Sequence, residues 1–392
     1  MSRASAPRRP LRIAIIGHKG IPALHGGIER HVDEIARGLV RRGHRVDAFN
    51  RSYHPYRGSD YEGVHIRRRP SLVTKHGDAG THTAFCVLEA ALWRQYDVVH
   101  LHGIGPGFFT GVARAFVPTV FTFHAQDYRQ EKWGRAARWW LRRGESMAVR
   151  HASAVICVSK LLQSYTRQRY GREARYIPNG ARIVAAAGSD ALRQWDLDAG
   201  RYVLFVGRLI SDRGLPALLE AHAGIAGAPT LVIVGDSQDQ AFAAALRARA
   251  GANVVFTGYQ SGEALSQLYA HATLCVHPSE VEGLPIAVLE AMSHGRAVLV
   301  SDIPENLEAV GEAGASFAVQ NVRALRDAMA RLLGDPAERA RLGALARERV
   351  GREYDWERIT GATEAVYRAV LGEMPGTSLD TDSNGLQALP PT

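Results

Sequence analysis

The sequence predicts an α/β protein of two doubly wound domains that face each other across a cleft. Three observations carry that expectation. Short apolar runs of strand length alternate with helical patterns in two successive series. Glycine, histidine or serine follows several of these runs directly, where a doubly wound sheet holds its ligands. Between the two series, around 185–200, the composition shifts to small and polar residues.

The first series opens with a strand at 11–16, a glycine-rich turn and a helix at about 29–42, closed by Gly43, a residue suited to a helix C-terminus. A second strand follows at 45–49. The runs 97–101, 119–123 and 154–158 have the length and apolar character of buried parallel strands. His18, His102, His124 and Ser159 each stand at or just past a strand end. The segment 185–200 reads as a linker. The second series places strands at 201–206, 230–234, 254–257, 274–276 and 297–301, which run into Gly207-Arg208, Gly235-Asp236, Gly258 and His277-Pro278-Ser279. The segment 354–371 is helical and aromatic and is expected to pack back on the first unit. From Gly372 to 392 the chain is polar and proline-rich, and disorder is expected. The domains are therefore 1–184, with the helix 354–371 added to it, and 201–353.

Composition bounds the function. A chain of 392 residues with a hydrophobic fraction of 46% suits two globular domains. Cys86, Cys157 and Cys275 lie scattered in apolar contexts, as core residues in a reducing compartment do. The apolar run after the basic N-terminus is too short for a signal peptide, and Arg, His or Pro interrupts every stretch that would otherwise span a bilayer. Charge is uneven: residues 1–190 carry a net +17 and the remainder −8. A membrane surface, a lipid-linked pyrophosphate or nucleic acid would each suit the basic half, and so would a plain solvated surface.

The segment E-G-L-P-I-A-V-L-E at 282–290 is the richest in chemistry. Pro285 suits the first position of a helix whose N-terminus attracts phosphate through free N–H groups and the helix dipole. Glu290, in an apolar helix, needs a partner, and a ligand diol would serve. Glu282 lies outside the helix, within reach of a ligand over its end. The plain alternative is an acidic turn and a salt-bridged core Glu. Gly207-Arg208 to Arg213-Gly214 puts two cations five residues apart at a strand-to-helix turn, able to clamp a diphosphate from both sides. Gly26-Gly27, before the first helix, lets backbone amides approach a phosphate. This loop is neither a Walker loop nor a dinucleotide fingerprint. His124 could donate to a substrate hydroxyl or stabilise charge, and Asp127 could contact an acceptor. His100-x-His102 with His124 could be read as a metal site, but no carboxylate completes it. The D-x-D pairs at 196–198 and 380–382 fall in the linker and the tail, so no metal is expected.

These motifs together resemble the retaining glycosyltransferase family 4, of the GT-B fold with two Rossmann-like domains. The features are Gly26-Gly27-x-Glu29, V-V-H-L-H-G at 98–103, His124, V-S-K at 158–160, P-N-G at 178–180, G-R-L at 207–209, Gly258 and P-S-x-x-E-G-L-P-x-x-x-L-E-A-M at 278–292. K-G-I-P…G-G-I-E and H-A-Q-D-Y-R-Q-E-K-W further resemble a bacterial subgroup that includes rhamnosyltransferases of surface polysaccharide assembly.

The resemblance implies a nucleotide-sugar donor in the second domain and an acceptor in the first. Glu290 would hold the ribose hydroxyls, and Glu282 would approach the donor sugar beside the amides of Gly283, Leu284 and Pro285. Arg208 and Arg213 would neutralise the leaving diphosphate, although the family usually has Lys where Arg213 stands. Gly207 belongs to the same turn. His124 would contact the donor sugar, Gly26-Gly27 would close on the phosphates and the backbone near Gly258 would meet the base. No carboxylate pair suggests double displacement. Retention by front-face attack is implied, with the diphosphate oxygen helping to deprotonate the acceptor hydroxyl. No cofactor beyond the donor and no essential metal are expected.

Trp133, Trp139 and Trp140 interleave with Arg135, Arg138, Arg142 and Arg143, a pattern that can lie on an anionic membrane. The expectation is a cytoplasmic enzyme, peripheral on the inner face of the membrane, acting on a glycan or lipid-linked acceptor and not on nucleic acid. A nucleotide-sugar epimerase or a non-catalytic partner subunit of the same fold are the alternatives.

Overall fold

The computed structural model describes residues 9–373 except 25, 73, 75, 76, 94, 131, 132 and 185–187. The tail read as disordered lies outside the described residues from 374 onward. Two sheets organise the chain.

The N-terminal sheet contains β1 (Arg12–Ile16), β2 (Arg45–Arg51), β3 (Asp60–Tyr61), β4 (Val64–Arg69), β5 (Val98–His102), β6 (Thr119–Phe123), β7 (Ala154–Cys157) and β8 (Arg175–Tyr176). Their spatial order is β3-β4-β2-β1-β5-β6-β7-β8. All neighbours are parallel except β3 against β4. The C-terminal sheet contains β9 (Tyr202–Val206), β10 (Thr230–Val234), β11 (Val254–Gly258), β12 (Leu274–His277), β13 (Val298–Ser301) and β14 (Ala315–Phe317), in the order β11-β10-β9-β12-β13-β14 and parallel throughout.

Helices cross over between the strands. In the first domain they are α1 (Gly27–Arg41), α2 (Asp78–Trp93), α3 (Thr110–Arg114), α4 (Arg135–His151) and α5 (Lys160–Tyr170). In the second they are α6 (Leu215–Ala223), α7 (Gln240–Arg249), α8 (Gly262–Ala270), α9 (Ile286–Ser293), α10 (Pro304–Val310), α11 (Val322–Gly334) and α12 (Pro336–Glu353). The last, α13 (Trp356–Val370), returns to the first sheet: Trp356, Ile359, Val366 and Tyr367 pack with α1 and β1. Arg42 of the α1 C-terminus bonds Glu357 and Glu364 of α13. Among the described residues, no helix is long and apolar enough to cross a membrane.

Both sheets are covered on both faces, so their central strands are buried and mostly apolar, with His100 and His102 of β5 and Thr119 and Thr122 of β6 as buried polar exceptions. Three expectations change. Pro285 is not the first helical residue but the N-cap of α9, with extended backbone, and its carbonyl accepts from Val288 and Leu289. The first helix starts two residues earlier than expected, at Gly27. The linker is not featureless: Asp190–Trp195 forms a 3-10 turn whose Ala191 N–H donates to Gln267 of α8, and Leu192 is buried.

Candidate active site

Each sheet reverses its strand order once, between β1 and β5 and between β9 and β12. Ligands of doubly wound sheets bind beyond the strand carboxyl ends at that point. Gly17-His18 follow β1, His102 ends β5, Gly207-Arg208 follow β9 and His277 ends β12. The two switch points approach each other across the cleft.

The N-terminal side is set by the loop into α1. Gly26 sits at φ 97°, in the left-handed region that favours glycine, and no side chain caps the helix. Lys19 N–H donates to Glu29 Oε1 at 3.1 Å, which folds the loop back on the helix. A β-carbon on Gly27 would stand 4.0 Å from Ile286 Cδ1. The N-termini of α1 and α9, neither capped by a side chain, thus lie next to each other across the cleft, each with free N–H groups and a positive dipole end.

The C-terminal side carries the charged groups. Arg213 bonds Glu282 Oε1 directly and also reaches Ser279 Oγ at 3.2 Å and the Val281 carbonyl at 3.1 Å. His277 Nε2 meets the same Glu282 oxygen at 2.8 Å. Burial pushes the Glu282 carboxyl up, but the Arg213 charge and the bonds from His277 and Ser279 outweigh it and bring its pKa to about 2. Glu282 is thus a fixed carboxylate and no general acid. Arg208 opens to the cleft solvent, yet cleft walls surround its guanidinium. That enclosure, then the like charge of Arg213, lower its pKa, against Glu29, Glu282 and Asp127. Asp127, on a 3-10 turn past His124 in the first domain, is near enough for its charge to act on Arg208 across the cleft. Gly207 crosses so close to Gly235 that a side chain on Gly235 would strike the Gly207 carbonyl.

Glu290 is already partnered, by Arg30 Nη2 across the cleft at 3.3 Å and by the Tyr269 hydroxyl at 3.3 Å. Burial raises its pKa and Arg30 opposes the rise. Gly258 turns at φ 69°, and the next residue, Tyr259, is exposed toward the charges of Arg30 and Glu290.

His124 lies at the floor. Its Nε2 is 3.0 Å from His102 Nδ1, and its ring meets His31 edge-on with centroids 4.8 Å apart. Burial, and then the neighbouring His31 and His100, hold its pKa well below 6.5. Its surroundings thus disfavour a positive charge on the imidazole. His102 and His124 do come together, but His31 rather than His100 completes the group. His31, His102 and His124 offer ligand atoms within 4.8 Å of one another. His100 is taken up by Tyr367 and Thr122, both at 2.7 Å.

The cleft is stitched by contacts that no sequence motif assigned. A β-carbon on Gly283 would collide with the His124 carbonyl. Asn179, from P-N-G, bonds His31 Nδ1 at 2.9 Å and donates to the Leu284 carbonyl at 2.7 Å. Arg30, His31, Asn179, His277 and Tyr269 are the residues missed. The rule that chemistry follows strand ends would have found His277, and the first turn after Gly26-Gly27 would have offered Arg30 and His31.

Two facing α/β domains, with uncapped helix ends and Arg208 and Arg213 at the cleft between them, fit a glycosyltransferase of the GT-B type. Residues 25–185 match Glycosyltransferase Family 4, and residues 193–349 match Glycosyl transferases group 1. The chain is 30% identical to a glycogen synthase of Mycobacterium tuberculosis over 407 aligned positions, covering 92% of this chain and 95% of the relative. It is also 30% identical to a GDP-mannose-dependent alpha-mannosyltransferase of the same species, with 92% and 97% covered. The solved sucrose-phosphate synthase of Thermosynechococcus elongatus superimposes with a TM-score of 0.80 at 25% identity, covering 93% and 100%. The chain belongs to this glycosyltransferase family, with a family 4 domain followed by a group 1 domain.

Proposed function

We propose that this glycosyltransferase works with retention of configuration. The observation that carries the reading is the meeting of the α1 and α9 N-termini beside Arg208 and Arg213, with Glu282 before α9 and Glu290 within it. A nucleoside diphosphate fits this arrangement. Its phosphates take the free N–H groups near Gly26, Gly27, Gly283, Leu284 and Pro285, and the N–H groups of Arg213 not given to Glu282. Its ribose displaces Arg30 from Glu290, and its base reaches the turn at Gly258 and Tyr259.

Glu282 accepts from a sugar hydroxyl, and His124 offers a neutral imidazole to the sugar. The C–O bond to the diphosphate breaks while the acceptor hydroxyl attacks on the same face, and a diphosphate oxygen takes its proton. Catalysis is then positioning and preorganised charge, with no metal required. The signatures around Gly26-Gly27 and His124 favour a deoxyhexose such as rhamnose as the transferred sugar. The cleft beside Asp127 gives an acceptor somewhere to lie, which favours transfer over epimerisation.

The test is a thermal shift of the purified protein with UDP, GDP, ADP and dTDP, with and without chelator, beside Glu290→Ala. A ligand at about 100 times its Kd adds roughly 2.7 kcal/mol. One nucleotide should give a chelator-resistant shift that the variant loses. No shift with any of them would sink the reading.

We place the enzyme on the cytoplasmic face of a membrane, acting on a lipid-linked glycan in polysaccharide assembly. Phe85, Leu88 and Leu92 share one exposed face of α2, and Val112 and Phe116 lie exposed beside α3, next to it. Trp139 is exposed under Arg143, whereas Trp140 stacks on Phe108 and Trp133 packs on the core. The apolar face on α2 and α3 thus supplements a tryptophan pattern of which one ring faces solvent. Flotation with vesicles containing anionic lipid should carry the protein upward, and a protein left at the bottom would refute attachment.

A further inference from the structure

We propose that the acceptor carries a phosphate group, held by Arg129, Arg138 and Arg142 in the cleft beside Glu282; this rests on the transferase reading and names its acceptor class. The cleft encloses about 690 Å³ between the domains. That volume suits a sugar phosphate or the head of a sugar linked through a diphosphate. One wall belongs to the first domain and carries the three arginines with Tyr128 and Tyr165. The other belongs to the second and carries Glu282 and Glu305.

The arginines are unlike their neighbours. Arg37, Arg67 and Arg69 in the same domain all meet carboxylates. Among the described residues, no carboxylate lies within ion-pair distance of Arg138 or Arg142, and Nε of Arg138 is buried with no hydrogen-bond partner; Arg129 forms no direct ion pair, although its charge reaches Glu305 across the cleft. Like charges gathered around one cavity repel unless an anion joins them. Guanidinium forks suit a phosphate because each can bind two of its oxygens.

The three are also positioned. Arg138 and Arg142 stand one turn apart on α4 and so share a face. Arg142 lies over the Tyr128 ring at 5.2 Å. The Tyr128 hydroxyl is fixed by Gln126 at 2.7 Å and meets the Tyr165 hydroxyl at 3.3 Å. Tyr165 donates in turn to the buried Glu145 at 2.7 Å. Arg129 is tethered to Gln126 at 3.5 Å.

The cleft's two walls give the acceptor a direction. Glu282 and Glu305 repel an anion, so the phosphate turns to the first domain and the far end of the sugar points to Glu282, where the donor sugar would lie. Arg208 and Arg213 already serve the donor diphosphate, and the three further cations answer a second anion.

Isothermal titration of the full chain tests this, with the donor site saturated by whichever nucleotide gives a thermal shift. The probes are glucose 1-phosphate, farnesyl diphosphate and methyl α-glucoside. At least one phosphorylated probe should bind at least tenfold tighter than the glycoside. The Arg138→Gln/Arg142→Gln variant should erase that preference and keep its nucleotide shift. If the double variant fails to fold, Arg129→Gln is expected to weaken the phosphorylated probe at least threefold. Preference for glucose 1-phosphate marks a free sugar phosphate as the source, and preference for farnesyl diphosphate a lipid-linked one. No phosphorylated probe bound, equal binding of the glycoside, or an unchanged preference in the variant overturns the phosphate site while the nucleotide shift upholds the transferase. A wild-type protein that no nucleotide shifts overturns both.

Discussion

Gly283 sets how closely the two domains approach. A β-carbon there would strike the His124 carbonyl and come within 3.3 Å of Ala125 Cβ, both on the opposite domain. Its backbone is not among those in the left-handed region, so alanine meets no conformational penalty within its own loop. Gly283→Ala should therefore be relieved by parting the cleft. A misplacement of about 1 Å between reacting groups costs on the order of 100-fold in rate. The expected result is a kcat/KM lower by at least tenfold, with folding stability changed by about 0.5 kcal/mol or less. Unaltered kcat/KM would show that the catalytic arrangement does not need this contact.

At the scale of elements, the α5 N-terminus is shared between domains. Ser159 caps it from within, accepting from Leu162 N–H at 3.2 Å. Glu308 of α10, in the other domain, accepts from Lys160 N–H at 2.7 Å. A carboxylate at a helix N-terminus contributes about 1 kcal/mol. In Glu308→Ala the helix keeps its own cap, so circular dichroism should be unchanged. Closure should weaken about fivefold, seen as looser donor binding and a larger radius of gyration in small-angle scattering. Unchanged donor affinity would mean that Glu308 does not hold the closed form. This contact also marks where sequence reading stops. Strands β6 and β10 were legible because both faces of each are buried and the runs consist of apolar residues and threonine, with no charge. Strand β4, V-H-I-R-R-R, was not, because its Arg67 and Arg69 are neutralised by Asp47 and Glu89 from other elements. Glu282, Glu290, Arg208 and Arg213 stood out because each sits beside a turn with its own local signal. Glu308 has no such signal, and the P-N-G motif marks Asn179 without showing its role: their partners lie 148 and 105 positions away, and only the docking of two domains brings them together.

The whole molecule is most exposed to acid through the histidines beneath its cleft. His18, His31, His100, His102 and His124 are all buried, and burial is the first cause of the low pKa of each. His18 falls to about 3 and His31 to about 4. The folded state binds no proton at these rings near pH 6, whereas the unfolded chain binds one at each below its ordinary 6.5. Stability is therefore complete above pH 6.5 and declines as pH falls toward the folded values. His18 and His31 together remove about 4 kcal/mol by pH 5, and His100, His102 and His124 act in the same direction. That loss is a large share of the about 5–15 kcal/mol that holds a domain folded. Acid unfolding followed by tryptophan fluorescence should thus have its midpoint between about pH 5 and 6, well above the range in which Glu282 is protonated. The N-terminal domain should lead, because it contains all five rings. A midpoint below pH 4 would mean that the rings take up protons in place, and that the floor of the cleft is wetter and more polar than its packing implies.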